Sequence, residues 1–401
     1  FLTRPDGTPF FWLGDTAWEL FHRLDLDEAA HYLGVRKGQG FNVVQAVALA
    51  ELDGLRTPNR NGDLPFEDAD PARPVEAYWA HVDRVVRMAD ERGLIVALLP
   101  TWGDKITTLR WGAGPEIFTP ATARAYGEWI GARYATASNV VWVLNGDRPI
   151  EGFEAVHAAM AEGLHARARF LTALHPMGGR SSSEELHDAP WLDLHMLQTG
   201  HGVGTERVQR MIDKARRRTP AKPVLDAEPI YEEHPVNFNH RNGVSDDHDV
   251  RTHMAASVFA GGCGVTYGCH AVWQFAQDRY PGVNRPIGHW RDALTIAGAR
   301  SIHHLKDLAD ELSLVTWSPA DGVLLDAHSH PALVSPDGRR AAVHVTDAQG
   351  GVMLGREWRD ASAVWRDLST GAEIDAVRTE ISVAPIAREW PLRSGALLLT
   401  R

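Results

Sequence analysis

The sequence has no run of about 18 apolar residues, the length a helix needs to cross a bilayer, so nothing in it reads as a membrane span. Positive charge is in deficit. Its 41 Lys and Arg face 52 Asp and Glu, a formal net charge of −11, which argues against a nucleic-acid backbone or an anionic membrane as the main partner. Cysteine is almost absent. Cys263 and Cys269 lie in an apolar, Gly-rich stretch, where they either pair in an oxidising compartment or, the commoner outcome, sit as two inert thiols. Neither belongs to a Cys-x-x-Cys, so sulfur does not suggest zinc. No Gly-x-Ser-x-Gly elbow and no phosphate-cradling Gly motif occurs, and Ser181-Ser182-Ser183 reads as a loop. No basic-then-apolar leader and no initiator Met opens the chain, so its compartment is not readable from it.

What is present is an alternation of short β-rich runs with longer amphipathic segments in 401 residues, enough for one large barrel and a smaller module. The runs are Phe10 to Leu13, Phe41 to Val47, Leu94 to Leu99, Val140 to Leu144, Phe170 to Leu174, Leu192 to Leu197, Val224 to Ala227 and Gly264 to Tyr267. Helical stretches fall between them: Asp27 to Lys37, Val75 to Arg92, Ala121 to Tyr134, Phe153 to Arg167, Glu206 to Arg217 and Asp249 to Phe259. Asp25 and Asp27 mark a helix start, and Gly38, Gly40 and Gly93 mark helix ends. Strands buried on both faces read as unbroken apolar runs, as Leu94 to Leu99 does. The expected fold is α/β, a (β/α)8 TIM barrel over residues 1–305. A small C-terminal antiparallel β-sandwich over 306–401 follows it, with a hairpin at Ser335-Pro336-Asp337-Gly338 and strands at Ala341 to Val345 and Ala396 to Leu399.

In such a barrel the reacting groups sit where strands end. Asp147 closes the fourth run and Glu228 the seventh, and two carboxyls facing one pocket are the minimum equipment for hydrolysing a glycosidic bond. Other strand ends supply polar and aromatic groups, each with a bland alternative. Asp15, beside Trp18, either bonds sugar hydroxyls or caps a turn; Gln45 and Glu51 line the same rim or are simply solvated. Trp102, before Asp104, either stacks on a sugar or packs under its loop. Arg148 either pairs with Asp147 at the mouth or forms a surface ion pair. His175, Gln198 and His201 orient a sugar or a carboxylate, or are satisfied structural groups; Tyr267, His270 and Trp273 form an aromatic cluster suited to a sugar ring. Strand alternation places Asp226 and Glu228 on one side. A metal-dependent hydrolase is the rival reading, but the barrel offers no His-x-His or His-Glu-x-x-His, and His328-Ser329-His330 lies in the tail. No metal or organic cofactor is expected.

Several of these stretches together resemble a known family. They are Trp12 to Leu20, Gly40 to Gln45, Leu99 to Asp104, Asn139 to Arg148, His175-Pro176, Gln198 to His201 and Pro223 to Glu232, and they are similar to the apiosidase-like glycoside hydrolases across the whole barrel. The tail is similar to the β-domain that accompanies them, labelled collagen-binding, a label that implies no activity. The resemblance implies a catalytic Asp and Glu at Asp147 and Glu228 and a pectic substrate of the rhamnogalacturonan-II type, in a periplasmic or secreted setting. The mechanism expected of that pair has Asp147 as proton donor and Glu228 as nucleophile or base, with Trp102 and Trp273 stacking on the sugar. Retention is the expected outcome, although an Asp in place of the usual Glu widens the gap, and a separation beyond about 6.5 Å favours inversion. The competing reading is a glycan-binding protein that has lost catalysis; oligomeric state is left open.

Overall fold

A computed structural model describes residues 1–325, 330–346, 351–379, 382–385 and 393–401. After a short hairpin of Leu2–Thr3 with Pro9–Phe10, eight parallel strands close into a barrel. They are β1 (Trp12–Thr16), β2 (Val43–Val47), β3 (Ile95–Leu99), β4 (Val140–Asn145), β5 (Thr172–His175), β6 (Leu194–Leu197), β7 (Val224–Asp226) and β8 (Gly264–Tyr267). The ring is sealed by β8 against β1, from Gly264 opposite Trp12 to Tyr267 opposite Asp15.

Alternation along each strand builds two apolar layers. Val44 and Ala46 of β2, like Trp142 and Leu144 of β4, join the core beneath the helices, whereas Val43, Val47 and Val143 meet Trp12, Leu99, Met196 and Leu225 in the lumen. Helix α1 (Leu26–Gly38) starts at a reciprocal capping box in which Asp25 accepts from the Glu28 amide and Glu28 from that of Asp25. Beyond its end Gly40 adopts φ 86°, so Gly38 is the last helical residue and Gly40 the left-handed stop. In α2 (Glu76–Asp90) the stripe Trp79, Val82, Val85, Val86 and Ala89 faces inward. The outer layer continues with α3 (Pro120–Arg133), α4 (Glu154–Leu164), α5 (Glu206–Arg216), α6 (Asp247–Phe259) and α7 (His303–Leu312). Among the described residues no helix is long and apolar enough to cross a membrane.

Among the described residues eight antiparallel strands follow, from Ser318 to Thr400. Ala332, from the second strand of the order, and Val352, from the last, meet Val343, Trp365 and Leu397 in one core, so the sheet packs on itself. The hairpin stands where expected: Gly338 donates to the Ser335 carbonyl at 2.9 Å between strands Ala332–Val334 and Arg340–Thr346. The expected division after residue 305 falls inside α7, and we propose that the division follows Leu312 instead. His328 and Ser329 of the tail's His-x-His lie outside the described residues.

Candidate active site

At the C-terminal end of β4 three consecutive residues take positive φ: Asn145 at 66°, Gly146 at 152° and Asp147 at 57°. Asn and Asp tolerate this region better than other side chains, yet each such residue costs on the order of 1–3 kcal/mol and persists only when its surroundings hold it. The Asn145 amide does so, donating to the carbonyls of Arg148 (2.9 Å) and His175 (3.1 Å). Glycine is obligatory at 146, because a Cβ there would collide with the Trp102 indole. The turn leaves Asp147 Oδ1 buried without a hydrogen-bond partner.

Glu228 follows β7, and its Oε1 lies 3.1 Å from His201 Nε2 and its Oε2 3.1 Å from His175 Nε2. One oxygen of Asp147, Nε2 or Nδ1 of His175 and one oxygen of Glu228 all fall within 4.8 Å of one another. The two carboxyls therefore share one electrostatic environment and answer it oppositely. Burial first, then the negative charge of Glu228, pushes Asp147 up to about 7. Burial also opposes ionisation of Glu228, but the close approach of His175 and the bond from His201 outweigh it and hold that carboxyl well below the usual range. Burial lowers the affinity of His175 for a proton, and Glu228 more than restores it. The same three side chains could hold a metal ion, as could His303, His304 and Asp307 on α7.

The expected site residues divide sharply. Asp147, Glu228, His175 and His201 converge. Trp18 packs edge-on to His175 at 5.3 Å, Trp273 joins the lumen aromatics at 8% exposure, and Gln198 is 4% exposed at the end of β6 with its Oε1 unbonded. Glu51 is half-buried; its carboxyl is pushed well up by burial and by Asp147. Its loop is pinned by Lys105 Nζ donating to Ala50 O (2.6 Å) and Leu52 N donating to Glu19 (3.0 Å).

Several others need correction as sugar contacts. Asp15 and Tyr267 point outward from β1 and β8 and are fully buried: Asp15 accepts from Arg36 (2.7 Å) and Tyr32 (2.5 Å), and the Tyr267 hydroxyl donates to Glu232 (2.5 Å). Gln45 faces the lumen with no exposed surface and holds the Ala227 carbonyl at 3.0 Å, fixing the residue before Glu228. Trp102 is wholly buried beneath Gly146 and tilted against the rings of Trp18 (5.1 Å) and His175 (5.9 Å), so it supports the turn and backs the site without a face open to a sugar. Asp104 is equally buried, paired with Lys105 at 2.7 Å and accepting from the Ala113 and Gly114 amides. Arg148 is buried, with Nη1 on the Asp147 carbonyl at 3.2 Å. His270 is 1% exposed and stands behind His234, to which its ring is edge-on at 4.5 Å. Asp226 and Glu228 do not share a face: the strand ends at Asp226, which accepts from Ser257 (2.7 Å) and Thr199 (2.9 Å), and the alternation stops there.

Sequence reasoning passed over Tyr231, His234, Phe238 and Trp111. Tyr231 lies edge-on to His201 at 4.6 Å, and His234 stacks on His201 at 4.1 Å, kept neutral by burial, which pushes it down to about 2. Only the aromatic density of Tyr231 to Phe238 and the Gly-flanked position of Trp111 signalled them.

Residues 1–316 match the family described as "Apiosidase-like, catalytic domain". A solved structure described as a glycoside hydrolase is similar with a TM-score of 0.87 at 26% identity, covering 100% of this chain and 94% of its own. A glycoside hydrolase family 5 protein from Bacteroides vulgatus ATCC 8482 is similar with a TM-score of 0.87 at 25% identity, covering 100% and 90%. An endo-β-1,4-mannanase from Thermotoga petrophila shares the fold at a TM-score of 0.52 and 12% identity, covering 98% and 92%. No curated protein sequence matches the chain.

Proposed function

The chain belongs to the apiosidase-like family of glycoside hydrolases, and from that membership we propose that Asp147 and Glu228 are the pair that cleaves the glycosidic bond of its carbohydrate substrate. The observation that carries this reading is a pair of carboxyl oxygens within 4.8 Å at a barrel mouth, one carboxyl holding its proton to about pH 7 and the other ionised. That contrast supports Asp147 as the acid and Glu228 as the nucleophile.

Oxygens this close suit the separation of roughly 5 to 5.5 Å found in retaining enzymes better than the roughly 6.5 to 9.5 Å of inverting ones. Glu228 attacks the anomeric carbon as the bond to the leaving oxygen breaks, and Asp147 gives that oxygen its proton. In the second half Asp147 takes a proton from water, whose oxygen displaces Glu228. His175 and His201 hold Glu228 ionised and aimed; Trp18, Trp273 and Gln198 shape the sugar's side of the pocket. The substrate class we propose is a pectic glycan of the rhamnogalacturonan-II type.

Incubation with rhamnogalacturonan-II oligosaccharides, followed by mass spectrometry and early-time proton NMR, tests both parts. Release of a sugar whose first-formed anomer keeps the configuration of the substrate is expected. No release from any pectic oligosaccharide removes the substrate class, and the opposite anomer removes retention. The proximity of Asp147, His175 and Glu228 also favours a metal-bound reading, which requires that a chelator abolish turnover. The carboxylate mechanism requires that it does not.

A further inference from the structure

The loop after β3 carries the exposed indole nearest the proposed acid in the chain of contacts. Trp111 is 46% exposed, and the guanidinium of Arg148, the residue next to Asp147, lies 4.6 Å from its ring centroid. Arg148 itself is fully buried, with Nε and Nη2 unbonded, and burial pushes its affinity for a proton down while Glu51 and Asp147 push it up. One face of the indole is thus fixed on a cation and the rest is left to solvent.

The loop is built to hold the ring there. Arg110 at φ 87° and Gly112 at φ 131° flank Trp111, so the chain accepts two left-handed residues, one without the excuse of being glycine, to turn the indole outward. A Cβ at Gly112 would lie 2.9 Å from Arg148 Nη2 and collide with Asp104. Asp104 Oδ2 accepts from the amides of Ala113 (3.1 Å) and Gly114 (3.0 Å), and Arg56 Nη2 donates to Ala113 O at 3.2 Å, tying the loop to the one that carries Glu51.

A glycosidic oxygen that takes its proton from Asp147 departs on the Asp147 side of the mouth, away from Glu228 on the opposite arc of the ring. We propose that Trp111 is the platform of a leaving-group subsite, stacking on the first sugar ring of the departing glycan through that ring's C–H face, and so sets which aglycones are cleaved. The inference rests on the Asp147 and Glu228 reading. A rigid aromatic face positioned before substrate arrives fixes the leaving oxygen against the acid at little entropic cost.

The test compares two substrates sharing one glycone: the rhamnogalacturonan-II oligosaccharide, which fills the leaving-group side, and the glycosyl fluoride of the sugar it releases, which has no ring there. Trp111→Ala is expected to lower the ratio of kcat/KM on the oligosaccharide to kcat/KM on the fluoride by about tenfold, chiefly through KM on the oligosaccharide, and Trp111→Phe to recover most of it. Equal losses on both substrates, or a ratio within about twofold of wild type, overturns the proposal. A Glu228→Gln variant that cleaves both substrates brings down the carboxylate reading instead, a result the Trp111 ratio cannot produce.

Discussion

Asp147 and Glu228 lie in one buried cluster, and the difference between them comes from their neighbours. Two imidazoles touch Glu228 and none touches Asp147 within hydrogen-bonding distance. Since Asp147 is raised from 3.8 to about 7, the stability tied to its proton is fully present below the unfolded value and is lost as pH rises through about 7. Asp147→Asn removes that loss. The melting temperature of the variant relative to wild type is expected to climb between about pH 4 and about pH 7, and a difference flat across that window contradicts the perturbed carboxyl. On the proposed assignment of Asp147 as the acid, the same proton sets the alkaline limb. Asp147→Ala should abolish that limb and slow poor leaving groups far more than an activated aryl glycoside, and equal slowing of both moves the acid elsewhere. Glu51, half-buried and raised by Asp147, is then the next candidate, whereas Asp104 is excluded by its bond to Lys105 and its two backbone amides.

The turn Asn145-Gly146-Asp147 is the element on which this chemistry depends. Its positive φ values and the Trp102 indole beneath it leave no room for a side chain at 146. Gly146→Ala should cost about 1–3 kcal/mol of stability and more activity than stability, read by thermal melting and kcat together. An unperturbed melt with full turnover denies that the turn is held as described. Strands such as Ile95–Leu99 were legible because both faces are apolar, and Gly264–Tyr267 has the expected bounds. β1 was misplaced, expected at Phe10 to Leu13 and found at Trp12–Thr16, because Gly14-Asp15-Thr16 reads as a polar loop. Asp15 is polar inside a strand only because Arg36 and Tyr32, far along the chain, neutralise it. That long-range pairing, invisible to local pattern, is also why Asp15 and Tyr267 were counted with the rim.

Barrel and sheet are joined by one continuous apolar layer: Leu333, Ala342, Leu368 and Ala396 belong to the same core as Phe259, Leu305 and Leu308. His344 lies 5.8 Å from Phe259, neutral because burial pushes it down to about 3. Chemical denaturation of the intact chain is therefore expected to show one transition, by fluorescence and by circular dichroism alike, and two resolved transitions would mean the layer does not couple the parts. Turn signals made the tail's hairpins readable. Its strand order was not, since Arg340–Thr346 pairs directly with Ser394–Thr400 although four described strands lie between them in sequence, a choice made by nonlocal packing. The mouth was legible at Asp147, His175, His201 and Glu228 because strand ends fix their place, and illegible at Trp111 and Phe238, whose positions depend on long loops.

Glu228 is the group on which the proposed chemistry most directly depends. Glu228→Gln keeps the shape of the side chain and removes the charge opposite an oxocarbenium-like transition state, so turnover of a glycoside that the wild type cleaves should fall by several orders of magnitude while the melt stays within a few degrees of wild type. A correctly folded variant that retains more than about a tenth of wild-type turnover, a loss below roughly 1.4 kcal/mol, would contradict it.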